Sequence, residues 1–130
     1  GGMLFDSDNP SGNHVLMDTV VEGNSKQTGL SPKAMMLSSL AGCSGIDIVD
    51  ILKKMKITDY NLRIDVEGQL TDEHPKYYHS VHVDYYFLGA HVDEKKCKRA
   101  VQLSVEKYCG VMEMFRKFAT ITTKIHIQNN

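Results

Sequence analysis

Three cysteines, Cys43, Cys97 and Cys109, are the residues of this chain whose chemistry matters first. A thiolate is a nucleophile that an oxidant converts to a sulfenic acid, and a second thiol can then close a disulfide. Cys43 stands between glycines, in Ala41-Gly42-Cys43-Ser44-Gly45. Two glycines inside a helix cost about 1 kcal/mol each against alanine, and they leave room for something to approach the backbone. Helical spacing places Leu40, Cys43, Asp47 and Asp50 near one face. Asp47 interrupts the apolar run Ile46-Asp47-Ile48-Val49, where an unpaired carboxylate is costly. It needs a partner, or a polar pocket beside the thiol. A carboxylate raises the pKa of a neighbouring thiol, so a reactive Cys43 requires a compensating cation or donor.

Cys109 lies between two helical segments, in Glu106-Lys107-Tyr108-Cys109-Gly110. A helix starting there would aim N–H groups at the sulfur, and Lys107 adds a positive neighbour. Free cysteine is among the most buried residue types, so an inert core thiol is the competing reading at each position. It is the favoured one for Cys97, one turn from Ala100 on an amphipathic face, and on position alone for Cys43 too. The spacing of Cys97 and Cys109 fits no compact zinc motif and the six histidines are scattered, so no metal site is expected. His82 and Asp84 share a strand face that reads as solvated and polar. The seven methionines read as core filling.

The elements that must position these thiols follow from periodicity. Strand candidates at 2–9 and 13–18, with Asn9-Pro10-Ser11-Gly12 between them, predict a hairpin over 2–18. Val20 to Gly29 reads as a loop. Ser31 as N-cap and Pro32 at the first helical position open a central helix over 31–56. That helix is apolar on nearly every side, which predicts that it is wrapped by the rest of the protein. Its interruptions at 42–45, 47 and 50 argue against a membrane span. Alternation from Tyr60 to Glu67 and from Tyr77 to Phe87 predicts a second hairpin over 59–88. Asp93 is an N-cap candidate, with Val92 and Cys97 placed for a hydrophobic staple. Helices are expected over 93–118, broken near Gly110, and a last strand over 119–128. The class is α+β, with antiparallel sheets around the long central helix.

With 130 residues the chain suits a single domain. Its 42% hydrophobic and 24% charged content fits a soluble globular protein. A net charge of −1 gives no basic balance for nucleic acid or an anionic membrane. An odd number of cysteines does not read as a secreted disulfide framework, which points to free thiols in a reducing cytoplasm. A small sheet cannot cover a long apolar helix, so homodimerisation is expected.

The run from Ser31-Pro32 to Ala41-Gly42-Cys43-Ser44, with Ile46-Asp47 and Ile51-Leu52-Lys53-Lys54 after it, and then Glu106-Lys107-Tyr108-Cys109, resembles the family of osmotically induced protein C and organic hydroperoxide resistance proteins. The resemblance covers most of the chain and is greatest to a small bacterial branch. It implies an OsmC-like fold, an intertwined homodimer with interface active sites, and thiol-dependent reduction of organic hydroperoxides without cofactor, metal or haem. Cys43 matches the peroxidatic cysteine and Cys109 the resolving one. Asp47, Lys33 and Glu106 are candidate neighbours. The implied partners are a second copy, a small organic hydroperoxide and an external dithiol. Neither nucleic acid nor membrane is expected as a partner.

Two positions depart from the peroxide-reducing members. Lys33 stands where they carry glutamate. Residues 1–30 hold no arginine and a single lysine, Lys26, where they carry an arginine that steadies the thiolate. The alternative is a small-molecule-binding or redox-sensing protein on the same scaffold, without efficient peroxidase turnover.

Overall fold

The computed structural model describes residues 2–20 and 26–130. They fall into two compact units, 1–38 and 39–130. In the first, β1 (Phe5–Asp8) and β2 (His14–Met17) pair antiparallel in the register Phe5 to Met17. Gly12, at φ 81°, closes the turn by donating to the Asn9 carbonyl at 2.9 Å. The Asp18 carboxylate then accepts from the amides of Thr28 and Gly29 at 2.8 and 3.0 Å. Gly29 sits so close to the Leu16 backbone that a Cβ would lie 2.5 Å from it, so no other residue fits there. Part of the expected Val20–Gly29 loop, 21–25, lies outside the described residues.

Helix α1 (Pro32–Lys54) begins at the proline that the sequence marks. Ser31 Oγ accepts from Gln27 Nε2 at 2.8 Å. At the other end, Lys53 and Lys54 occupy the last turn, where positive charge suits the helix dipole.

The second unit is built on one sheet in the order β3-β4-β5. Strands β3 (Asn61–Leu70) and β4 (Tyr78–Gly89) form the expected hairpin. Val81, Val83, Tyr85 and Phe87 of β4 are buried, and the even-numbered residues between them face the other way. The alternation predicted from Tyr77 fails at its start. Register slips between Gln69 and Leu70, so that His79 is skipped and Tyr78 turns inward.

Strand β5 (Thr120–Asn129) corrects the expectation of wholly antiparallel sheets. It pairs parallel with β4, Ser80 opposite Thr120 and Gly89 opposite Asn129. The reason is the connection. A helical segment carries the chain from the end of β4 back to its beginning, and a strand entered that way must run parallel. That segment is α2 (Glu94–Leu103), a wide turn (Ser104–Tyr108) and α3 (Gly110–Arg116). Asp93 caps α2, its carboxylate accepting from Lys96 N at 3.0 Å. Cys97, Ala100 and Val101 form the buried stripe of α2, as its spacing predicts. The helical path breaks at Cys109, whose backbone is extended, and Gly110 opens α3, as the expected break near Gly110 requires.

The central helix is also less enclosed than its composition suggests. Within the described chain its buried residues are Leu40, Ser44, Ile48 and Leu52, a single stripe four residues apart. Ile46 is 74% exposed and Val49 49%. The apolar residues on that second face are therefore not covered by the described residues. The expectation that α1 is too short to span a bilayer is corrected as well: at 23 residues and mean hydropathy 1.5 it is long and apolar enough by length and composition alone. Its buried hydroxyl at Ser44, bonded to the sheet, identifies it as a core helix.

Candidate functional site

The site starts from an anomaly in the core stripe of α1. Between Leu40 and Ile48 stands Ser44, fully buried, where an unpaired hydroxyl would cost about 1–3 kcal/mol. Its Oγ lies 2.7 Å from the Tyr85 hydroxyl on β4 and 2.9 Å from Ser104 Oγ at the start of the wide turn. Ser104 Oγ in turn lies 3.3 Å from Asp47 Oδ2. The carboxylate can only accept, which orders the chain. The one Ser104 proton lies between two acceptors at 3.3 Å, Asp47 Oδ2 and the Ser44 carbonyl; with Ser104 donating to either, Ser44 donates to Ser104 and Tyr85 to Ser44. Every hydroxyl is then satisfied, and Asp47 has the polar partner that its apolar surroundings demand. Burial pushes the Tyr85 hydroxyl up to about 12, so it stays a donor at neutral pH.

Ser104 also opens the segment that carries Cys109. From Ser104 to Tyr108 the backbone widens by one residue, and the Cys109 amide donates to the Ser104 carbonyl at 2.9 Å. Single wide turns of this kind recur at functional sites because they re-aim a side chain without ending the helical path. The Arg116 guanidinium donates to the Val105 carbonyl inside the turn and to Glu113 Oε2 at 3.0 Å. After the turn Cys109 caps α3, its sulfur accepting from Met112 N at 3.3 Å.

These constraints bring together the residues that the sequence singled out. The sulfurs of Cys43 and Cys109 and a carboxylate oxygen of Asp47 all lie within 4.8 Å of one another. Cys43 is half-buried and Cys109 buried, and both thiols are free. The expectation that a helix start would favour the Cys109 thiolate meets a larger opposing effect. Burial pushes the thiol up to about 11, and Cys43 and Asp47 push the same way, against the Met112 amide. Lys107 does not supply a charge to the sulfur: its ammonium sits over the Tyr108 ring, 5.2 Å from the centroid. None of the ion pairs among the described residues includes Asp47; the nearest acid on its helix, Asp50, pairs with Lys54 at 2.9 Å. An open cavity of about 450 Å³ reaches Asp47, the one member of the cluster that lines it, with Asp50, Ile51, Lys54, Met55, Leu103 and Tyr108.

The other candidates lie elsewhere. Glu106 is exposed on the wide turn, and Lys33 is exposed in the first turn of α1, which belongs to the first compact unit. Cys97 is a core residue of α2, and burial lifts its thiol to about 11. Of the glycines beside Cys43, Gly45 has the expected close neighbour, since a Cβ there would press on Ile64 Cδ1 at 3.1 Å, while a Cβ at Gly42 would meet nothing within 4 Å. His82 and Asp84 form a more ordered polar face than their pattern suggests. Asp84 Oδ1 lies 3.1 Å from His82 Nε2 and 2.8 Å from His126 Nε2. Sequence reasoning missed Ser44, Tyr85, Ser104 and Arg116. The available signal was a serine at core spacing in α1, between Leu40 and Ile48.

A sequence profile described as OsmC-like protein matches residues 23–124. The chain is 33% identical over 121 residues to Protein YhfA of Escherichia coli (strain K12), across 93% of this chain and 87% of that one. Among solved structures, a hypothetical protein from Aquifex aeolicus VF5 is similar at TM-score 0.85 and 28% identity, over 100% of this chain and 91% of that one. The organic hydroperoxide resistance protein OhrB of Bacillus subtilis is similar at TM-score 0.59 over 96% of each chain; at 16% identity the likeness is one of fold.

Both buried thiols titrate near 11 in the folded protein against an ordinary value of 9.0. The fold therefore favours their neutral forms. That contribution is complete below pH 9.0 and is lost as pH rises through about 11. The urea midpoint should be flat just below this window and fall across it. Cys97→Ala should flatten part of the fall; a midpoint that stays level across the window would contradict the burial of these thiols.

Proposed function

The chain belongs to the OsmC-like protein family, and we propose that it reduces organic hydroperoxides with a thiol pair, Cys43 attacking and Cys109 resolving. The observation that carries this reading is the approach of two sulfurs, distant in sequence, to within 4.8 Å. A disulfide needs about 2 Å between sulfurs, so the two thiols must draw closer for the bond to form. The Cys43 thiolate attacks one oxygen of the O–O bond. The bond breaks, the alkoxide leaves and takes a proton as the alcohol, and Cys43 becomes a sulfenic acid. The Cys109 thiolate attacks that sulfur, hydroxide leaves as water, and the disulfide forms. An external dithiol then returns both thiols by exchange, and no cofactor enters the cycle.

Asp47 is the positioning residue of this scheme. Its carboxylate, held by Ser104, lies beside both sulfurs and is placed to accept a thiol proton. The cavity bounded by Tyr108, Leu103, Ile51 and Met55 gives an apolar peroxide a route to Asp47. One observation favours slower cycling, as in a redox sensor. Cys109 is held protonated, so its attack on the sulfenic acid waits on deprotonation.

The functional form is a homodimer in this reading. Ala41, Gly42, Gly45, Ile46 and Val49 bound an open groove of about 700 Å³ with Leu62 and Ile64, and small residues there admit close approach by a second α1. Ile46→Glu, on the exposed side of the helix, should keep the far-ultraviolet circular dichroism and convert a dimer to a monomer in light scattering. A variant still dimeric would remove this face from the interface.

For the reaction, the reduced protein is given one equivalent of an organic hydroperoxide and its disulfides are mapped by peptide mass spectrometry. A Cys43–Cys109 linkage and one equivalent of alcohol are expected, with Cys109→Ser stopping at a trappable sulfenic acid on Cys43. Unchanged thiols with intact peroxide would end the peroxidase reading. Oxidation that no dithiol reverses would select the sensor.

A further inference from the structure

We propose that the reduced Cys43, Asp47 and Cys109 side chains form a three-ligand site for Zn2+, so that the ion and the peroxide compete for the same thiols. The three ligand atoms lie within 4.8 Å of one another. Zinc–sulfur bonds of about 2.3 Å and zinc–oxygen bonds of about 2.1 Å at tetrahedral angles require about 3.8 Å between sulfurs and about 3.6 Å between sulfur and oxygen. The contraction needed is about 1 Å, within reach of side-chain rotation. Cys43 and Asp47 are one helical turn apart on α1 and present their ligand atoms on one face.

Three features of the surroundings favour a cation. Ser104 donates to Asp47 Oδ2, orienting the carboxylate while leaving its other oxygen free, as outer partners of metal ligands do. No ion pair among the described residues neutralises Asp47. The cavity beside Asp47 gives a hydrated ion an entry to that ligand. Two thiolates and a carboxylate are a donor set that zinc takes readily, and three protein ligands leave the site open.

Binding follows Zn2+ + 2 RSH → Zn(SR)2 + 2 H+, with Asp47 as the third ligand. The regulatory consequence rests on the peroxide reading above. A bound ion ties up both sulfurs, and oxidation expels it: Zn(SR)2 + R'OOH + 2 H+ gives the Cys43–Cys109 disulfide, R'OH, H2O and Zn2+. The two thiolates lose two electrons and the O–O bond gains them.

Co2+ serves as the spectroscopic stand-in. Titrated without oxygen into the reduced full chain, it should give sulfur-to-cobalt charge transfer and the strong visible bands of four-coordinate cobalt, and Zn2+ should bleach both. Cys43→Ser and Cys109→Ser should each weaken the charge transfer, and Asp47→Asn should weaken Zn2+ binding by about 10-fold or more. Cys43 is half-buried, so its substitution tests the site even where Cys109→Ser folds poorly. A pale six-coordinate spectrum, or charge transfer undiminished in Cys43→Ser, would overturn the site. Disulfide formation in metal-free protein is scored separately. If it fails while the cobalt bands appear, the peroxide reading falls and the metal site stands; the reverse result removes the metal site alone.

Discussion

A buried hydroxyl must find a partner, and in this protein that requirement ties three elements together. Ser44 on α1, Tyr85 on β4 and Ser104 on the wide turn bond to one another and end on Asp47. Among the described residues no buried side-chain polar atom is left without a partner. Loss of one link leaves its neighbours in the core short of a partner, so the chain acts as a unit. Cys43 and Cys109 sit one residue before Ser44 and five after Ser104. The hydroxyl chain therefore sets where the two thiols stand.

The parallel placement of β5 serves the same end. Returning the chain to the start of β4 requires a helical crossover, and the crossover carries Ser104 and Cys109 across the inner face of the sheet. An unbroken α-helix would place Cys109 about 140° around the axis from Ser104, five steps of about 100°. The extra residue of the wide turn changes that step, and Arg116 bonds a carbonyl within the turn. Geometry that brings the sulfurs together also buries one of them, which keeps Cys109 protonated. Closeness and reactivity thus pull in opposite directions at this residue.

Much of this was legible in the sequence. Period-two alternation exposed the Asn61–Gly89 hairpin, and Pro32, Asp93 and the lysines of α1 marked helix ends. Cys43, Asp47 and Cys109 stood out because a carboxylate in an apolar run and a thiol between glycines need a reason. The parallel strand was not legible, since Ile121 to Ile127 alternates identically in either direction. The enclosure of α1 was overstated because composition cannot tell a face covered by its own chain from one left open. Ser44 looked like an interruption and Tyr85 like one more inward strand residue. Their bond joins residues far apart in the chain, and no local pattern encodes it. Nothing local marked Arg116, whose carbonyl partner lies in the turn before it.

The central claim is that the Ser104 hydroxyl holds the two thiols in register. Its most direct test is the reduction potential of the Cys43/Cys109 pair, measured by equilibration in a dithiol buffer, in the wild-type chain and in Ser104→Ala. The account predicts a potential raised by about 30 mV or more in the variant, a tenfold loss in the disulfide equilibrium constant. An unchanged potential would contradict it, and the hydroxyl chain would then be only a feature of the core.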